Sequence, residues 1–426
     1  MTTASTTLDE LDRETLLAVA HELMLLGMIA NRGMLPQVVL HTGEFDSMNE
    51  VAIDLWMGAS PVYTHRLRSL LGIEGDGVDA IMKALQFDNG FVHQYMDVAY
   101  RVHDEHDAEF WLNHCGALID AEEHGDERVF GMCHTIEDPT FDATALATNP
   151  RARIRPIHRP PRTPVDRHPH CHWTLKIDPA NEPITTFPIT EEVKALAGST
   201  VPNERRAPVG DGMEDYSGAF VPTAKLPDLD SSTLAAVTRE FIVQAQLLTA
   251  AAQLTMAERW GADVAHTMIV QSWLASAAIS AERLAPLVTG VHPTETRPTE
   301  PRPTETMAAV LAVTGAIPHG YRRDITIDGD TVRVELTSEH PGLDDPGHPG
   351  WIGLCAAGEP AGFVGTAFGV DRRSRVEVTT PERGRVLVDI TIDPDAAEAP
   401  EPDAVALMRV GKLWEWHFDL GTPVEL

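Results

Sequence analysis

Apolar residues at Leu11, Leu16, Val19, Leu23, Leu26 and Ile29 recur at helical spacing, which predicts an amphipathic helix reaching about Arg32. Thr7 and Glu10 stand before it as a capping box, and Gly33 and Pro36 punctuate its end. The same period predicts a second helix over 48–71, closing at Gly72, and a third over about 78–87. From Met96 the pattern alternates instead. Residues 96–103 and 108–113 flank Asp104-Glu105-His106-Asp107 and read as a β-hairpin. After Glu122 the periodicity fades and prolines accumulate, predicting loops and short strands that finish in a strand over 173–177.

Residues 181–230 are proline-rich with little periodicity and read as a linker between domains. Helical spacing returns over 232–260 and 264–288. A Thr/Pro-rich loop is expected at 294–306, then a hairpin over 326–337, strands over 375–392 and a last strand at 414–418. The second series of elements repeats the first in order. Glu22 recurs as Glu240 at an offset of 218; Trp56, Arg66 and Leu67 recur as Trp273, Arg283 and Leu284 at 217. His93, Tyr95 and His114 match His319, Tyr321 and His340 at 226, and Cys133, Glu137 and Arg153 match Cys355, Glu359 and Arg375 at 222. The reading is an α+β protein of two similar halves, each a helical bundle packed on a mainly antiparallel sheet. Residues 1–180 form the first repeat and 231–426 the second.

Composition narrows the function. A chain of 426 residues with 43% hydrophobic and 23% charged residues is that of a globular protein of more than one core. A formal charge of −31 argues against nucleic acid and anionic membranes as partners, because phosphate binding needs basic patches. The N-terminus lacks the pattern of a signal peptide and no apolar run suggests a membrane span, so a cytoplasmic protein is expected, with four reduced cysteines and a homodimer as one assembly open to it.

Candidate chemistry is concentrated between His114 and Trp173, which hold three of the four cysteines and seven of the nineteen histidines. The repeat acts as a filter here. Residues kept in both halves point to structure, and residues peculiar to one half point to function. Cys115, His134, His170 and Cys171 face Pro341, Ala356, Arg385 and Val386, so the soft ligands belong to the first half. Cys115, Cys133, His134, His170 and Cys171 are the candidate ligands of one transition metal, zinc or iron, whose softness suits thiolates and imidazoles. The plain alternative is three cysteines buried in a sheet with histidines exposed beside them. Asp138, Glu137 and His114 are the candidate catalytic groups, Asp138 ranking ahead of Glu137 because Glu359 repeats the latter. Arg153 and Arg155, within a basic run, are candidates to clamp an anionic substrate, and His93 to contact it.

The ordered pieces Asp138-Pro139-x-Phe141, Asn149-Pro150-Arg151-x-Arg153 and Cys171-x-Trp173 leading into a strand resemble the L-2-amino-thiazoline-4-carboxylic acid hydrolase family. The segment 56–73, ending Arg-Leu-x-x-Leu-Leu-Gly, is similar to the helix before that family's core. The resemblance implies a hydrolase of a small polar sulfur- or nitrogen-containing molecule, with the family's cysteines at Cys115, Cys133 and Cys171. The histidines around them and the tandem arrangement depart from the family. The expected function is a metal-dependent hydrolase of a small molecule, acting in the first half. A non-catalytic binding module, a sensor or carrier, is the alternative.

Overall fold

The computed structural model describes residues 2–3, 7–289 and 301–410. The strand expected at 414–418 and most of the loop at 294–306 lie outside them.

Helix α1 (Arg13–Met24) starts where Asp12 accepts a hydrogen bond from the Thr15 amide at 3.0 Å, capping an otherwise unpaired N–H. It runs almost without a break into α2 (Leu26–Thr42), which contains both Gly33 and Pro36. The expected stop near Arg32 is therefore corrected. Gly33 is there for contact: a Cβ at this position would lie 2.8 Å from Ser276 Oγ on a neighbouring helix. Helix α3 (Phe45–Leu71) ends on Gly72 at φ 64°, the left-handed cap that glycine accepts without strain. The short α4 (Val78–Leu85) follows.

Strands β2 (Met96–Val102) and β3 (Asp107–Cys115) form the hairpin, after a two-residue β1 at Thr2–Thr3. The chain then folds as helices, where loops and strands were expected: α5 (Gly116–Glu122), α6 (Asp126–Phe130), a π-helical turn over Gly131–Ile136, and α7 (Glu137–Leu146). The π turn explains why periodicity missed this segment. Its extra residue breaks the 3.6 period, the Glu137 amide reaching back to the Met132 carbonyl. It sits just before Pro139, which has no N–H and would clash with the carbonyl four residues back in a regular helix. Strands β4 (Ala152–His158) and β5 (Cys171–Ile177) complete the first half.

Residues 181–230 are docked against both halves. Helix α8 (Pro188–Lys194) lies on α3, with the Thr190 hydroxyl donating to the Met57 carbonyl at 2.7 Å. The second half then repeats the plan with α9 (Ser231–Trp260), α10 (Ala262–Val288), α11 (Pro303–Val313), β6 (Tyr321–Asp328), β7 (Thr331–Ser338), α12 (Trp351–Ala357), α13 (Ala361–Val370), β8 (Ser374–Glu382), β9 (Arg385–Ile392) and α14 (Asp403–Met408). The two antiparallel sheets run β2-β3-β5-β4 and β1-β6-β7-β9-β8. Apart from the short β1 edge, their orders are the same: two hairpins joined so that the last strand lies beside the second. The fold is α+β with two similar sheet-bearing halves.

The long helices cross between halves, α3 packing on α9 and α10 on α2. Arg66 of α3 holds Glu240 of α9 through two hydrogen bonds of 2.6 and 2.9 Å, and Arg283 of α10 holds Glu22 of α1 at 2.5 and 2.9 Å. These pairs are the repeat positions recognised in the sequence, each half giving an arginine to the other's glutamate. Such reciprocity is the signature of an isologous interface, formed here inside one chain. By length and composition the stretch Arg13–Thr42 is apolar enough to cross a membrane, but it lies among these packed helices, with 61% of its most apolar window buried.

Candidate functional site

Beneath α2 and α3, and against the β2–β3 end of the first sheet, lies a cavity of about 410 Å³. One wall is a single face of the α6–π–α7 helix, on which Arg128, Met132, the pair Ile136 and Glu137, and the pair Thr140 and Phe141 follow at about one-turn spacings. Opposite are Met28, Leu35, Met48 and Trp56 from α2 and α3, with Phe91 and Leu112 at the base. Leu40, Phe45 and Val410 are exposed at its edge. Behind the wall, Phe141 packs edge-on to Trp173 at 4.8 Å and onto Phe110 at 5.7 Å, which fixes α7 on the sheet. Gly116 lets β3 turn into α5 against Tyr95, since a Cβ there would lie 2.3 Å from the Tyr95 ring.

Polar groups in this apolar wall are few and perturbed. Glu137 is half-buried as a residue, yet its Oε2 is fully buried without a hydrogen-bond partner. Burial pushes its carboxyl up to about 8; Arg159 pulls in the opposite direction and Asp138 adds to the rise. Asp88 is raised to about 6, again by burial, although its Oδ1 accepts from the Gly90 amide at 2.6 Å and the Tyr63 hydroxyl at 3.1 Å. Cys115 also borders the cavity. Its Sγ accepts from the Leu118 amide at 3.4 Å, and burial drives the thiol up to about 12. Cys133 and Cys171 are pushed well above the ordinary thiol value for the same reason. Glu137 opposes ionisation of all three.

The five residues expected to hold zinc or iron are not brought together as a metal-binding group. Among the described residues no three His, Cys, Asp or Glu side chains are so arranged. The His170 ring accepts from the Cys115 amide at 3.1 Å; His134 stacks on Phe130 at 4.2 Å with its Nε2 2.7 Å from the Pro160 carbonyl. Cys133 and Cys171 sit in the apolar core. His114 lies 5.6 Å from the His170 ring, centroid to centroid.

The remaining candidates divide between wall and scaffold. Asp138, ranked first as a base from sequence, turns away into an ion pair with Arg159 at 2.5 Å, while its neighbour Glu137 faces the cavity. Arg155 grips Asp142 with two hydrogen bonds of 2.8 Å, and Arg153 donates to the carbonyls of Pro150, Ala152 and Glu182. Both guanidinium groups hold the β4 end of the sheet. His93 is half-buried with its Nε2 2.7 Å from the Gln86 carbonyl, and desolvation lowers its pKa to about 3. It tightens the turn after α4 and does not line the cavity.

Sequence reasoning passed over Asp88, Tyr63, Arg32 and Arg128. The repeat offsets contained the signal, since at 217–225 these positions face Val313, Ser280, Ala250 and Gly350. The second half has also filled its corresponding space. Trp273, the counterpart of Trp56, is completely buried and meets Phe363, the counterpart of Phe141, at 5.6 Å. No family model, no curated protein and no solved structure matches this chain.

Proposed function

We propose that the first half is the site of a small-molecule enzyme in which Glu137 carries a proton to or from a largely apolar substrate. The observation that supports this most is a carboxyl with one oxygen fully buried and unpartnered, on the wall of an apolar cavity, with a pKa near neutrality. A proton carrier works best when its pKa lies near the working pH, and burial in an apolar wall is how a glutamate reaches that range. Hydrolysis, in which water must lose a proton and a leaving group gain one, is the reaction class such a group serves most directly. The thiols do not suit the role of nucleophile, because burial keeps them protonated.

The test is a panel of small esters, thioesters and amides with apolar acyl groups, followed by mass spectrometry with the wild-type chain and Glu137→Gln. The expected outcome is turnover that falls by about a hundredfold or more in the variant while substrate binding persists. Equal turnover in both proteins would overturn the role of Glu137. Binding without turnover anywhere in the panel would favour a carrier or sensor, the reading that the deep, apolar and thiolate-free cavity also accommodates.

A further inference from the structure

Among the described residues, the cavity wall holds a hydrogen-bond donor that the protein leaves without a partner. Arg128 lies on the same helical face as Glu137, and its Nη1 is buried without a hydrogen-bond partner. A guanidinium normally donates from all its nitrogens, and leaving one buried and idle costs stability. The second arginine of the wall is in a different state. Arg32 gives Nη1 to Asp120 at 2.6 Å, Nε to the Met408 carbonyl at 2.8 Å and Nη2 to the Val410 carbonyl. Asp120 is thus hydrogen-bonded to Arg32, and its charge also favours the Arg128 guanidinium without a hydrogen bond to its Nη1.

The second half gives an internal control. At the position of Arg128 it has Gly350, and at that of Arg32 it has Ala250; a Cβ on Gly350 would lie 2.9 Å from the Ala250 amide nitrogen. The backbones close together where the first half holds two guanidinium groups. Arg128 therefore accompanies the cavity, which the second half does without. Around it the lining is Met28, Trp56, Phe91, Met132 and Phe141, and the edge is the exposed Leu40, Phe45 and Val410. A ligand matching this surface is apolar along most of its length. It carries one negative charge, because a second would meet the carboxylates of Asp120 or Asp88.

We propose that Arg128 anchors the carboxylate of a hydrophobic monocarboxylic acid, whose apolar body lies across the methionine and aromatic wall toward the exposed edge. This deepens the reading of Glu137 as proton carrier and rests on it for the identity of the cavity as a substrate site. A carboxylate on Arg128 fixes which part of the molecule is carried to Glu137 on the same helix face. Bidentate pairing with a planar carboxylate is what a guanidinium does better than an ammonium.

The probes are 2-naphthoate and its uncharged analogue 2-naphthalenemethanol, titrated calorimetrically against the full chain at pH 7. The acid is expected to bind about tenfold or more tightly than the alcohol. Arg128→Met should bring the two affinities together by weakening the acid alone, and Arg128→Lys should keep part of the preference. Should Arg128→Met not fold, the wild-type preference and the lysine variant still decide. Equal affinities in the wild type, or a preference that survives in Arg128→Met, would overturn the anchor while leaving the role of Glu137 standing. Failure of both probes to bind at about 1 mM would overturn the cavity as a ligand site, and the proposed function with it.

Discussion

Glutamine at position 137 copies the shape of a protonated glutamate but cannot ionise, so it separates burial from charge. Glu137 has a folded-state value of about 8 against an ordinary 4.5. Between those values the folded protein keeps a proton that the unfolded chain has released. The contribution of Glu137 to stability is therefore complete below about 4.5 and is lost as pH rises towards 8, at about 1.4 kcal/mol per pH unit. Other groups leave a clean window. His93 and His170, lowered to about 3, act below their ordinary value of 6.5, where they make stability rise with pH. Asp88 is spent as a source of pH dependence above about 6, and the thiols begin to act only near their ordinary value of 9. From pH 6.5 to 8 the wild type should lose roughly 2 kcal/mol that Glu137→Gln retains. Urea unfolding at several pH values in that window measures it, with fluorescence and circular dichroism required to give one transition. Parallel pH dependences for the two proteins would refute the assignment of a neutral, buried Glu137.

Further outcomes are expected elsewhere. Glu240→Gln leaves Arg66 without its charge partner at a site where the glutamate side chain is 1% exposed, and should cost about 3–5 kcal/mol by chemical unfolding. Trp273→Ala should cost about 3–5 kcal/mol by opening a cavity in the second half, whereas Trp56→Ala, enlarging one that already exists, should cost clearly less in the same assay. A thiol reagent at pH 8 should label no cysteine of the native chain quickly and all four after denaturation; rapid native labelling of Cys115 would contradict a thiol raised to about 12.

The repeat was legible because it is written in anchor residues. Arg66 and Arg283, and Glu22 and Glu240, recur at nearly the same offset, 217 and 218, because each arginine must meet the other half's glutamate across the helices. The hairpins were legible from alternation, as β6 and β7 confirm with their eight-residue ladder. The helices after Cys115 were not, because a π turn and Pro139 disturb the period that would announce them. The site was legible only in part. A cluster of cysteines and histidines attracts attention in sequence, but side chains on a strand alternate faces. Cys171 goes into the core with Trp173 and Leu175, while His172 pairs with Glu109 at 2.8 Å on the other face. Glu137 against Asp138 was a choice between adjacent residues that only the direction of the helix face decides. Arg128 carried no local mark at all; that its Nη1 is buried without a hydrogen bond is a fact of three dimensions.

The reciprocal arginine–glutamate pairs have a consequence for how such a molecule can vary. Two identical subunits meeting in this way would have to carry any change twice, so a tryptophan that plugs one cavity would plug both. Joined in one chain, the halves meet at a high effective concentration whatever the protein's abundance, and their sequences are free to differ. The second half can then close its space with Trp273 and Phe363 and serve as the rigid counterface of the first. Helix α9 holds α3 in place from that side, and α3 is one of the walls around Glu137. What looks like a redundant copy is a half that no longer has to match its twin.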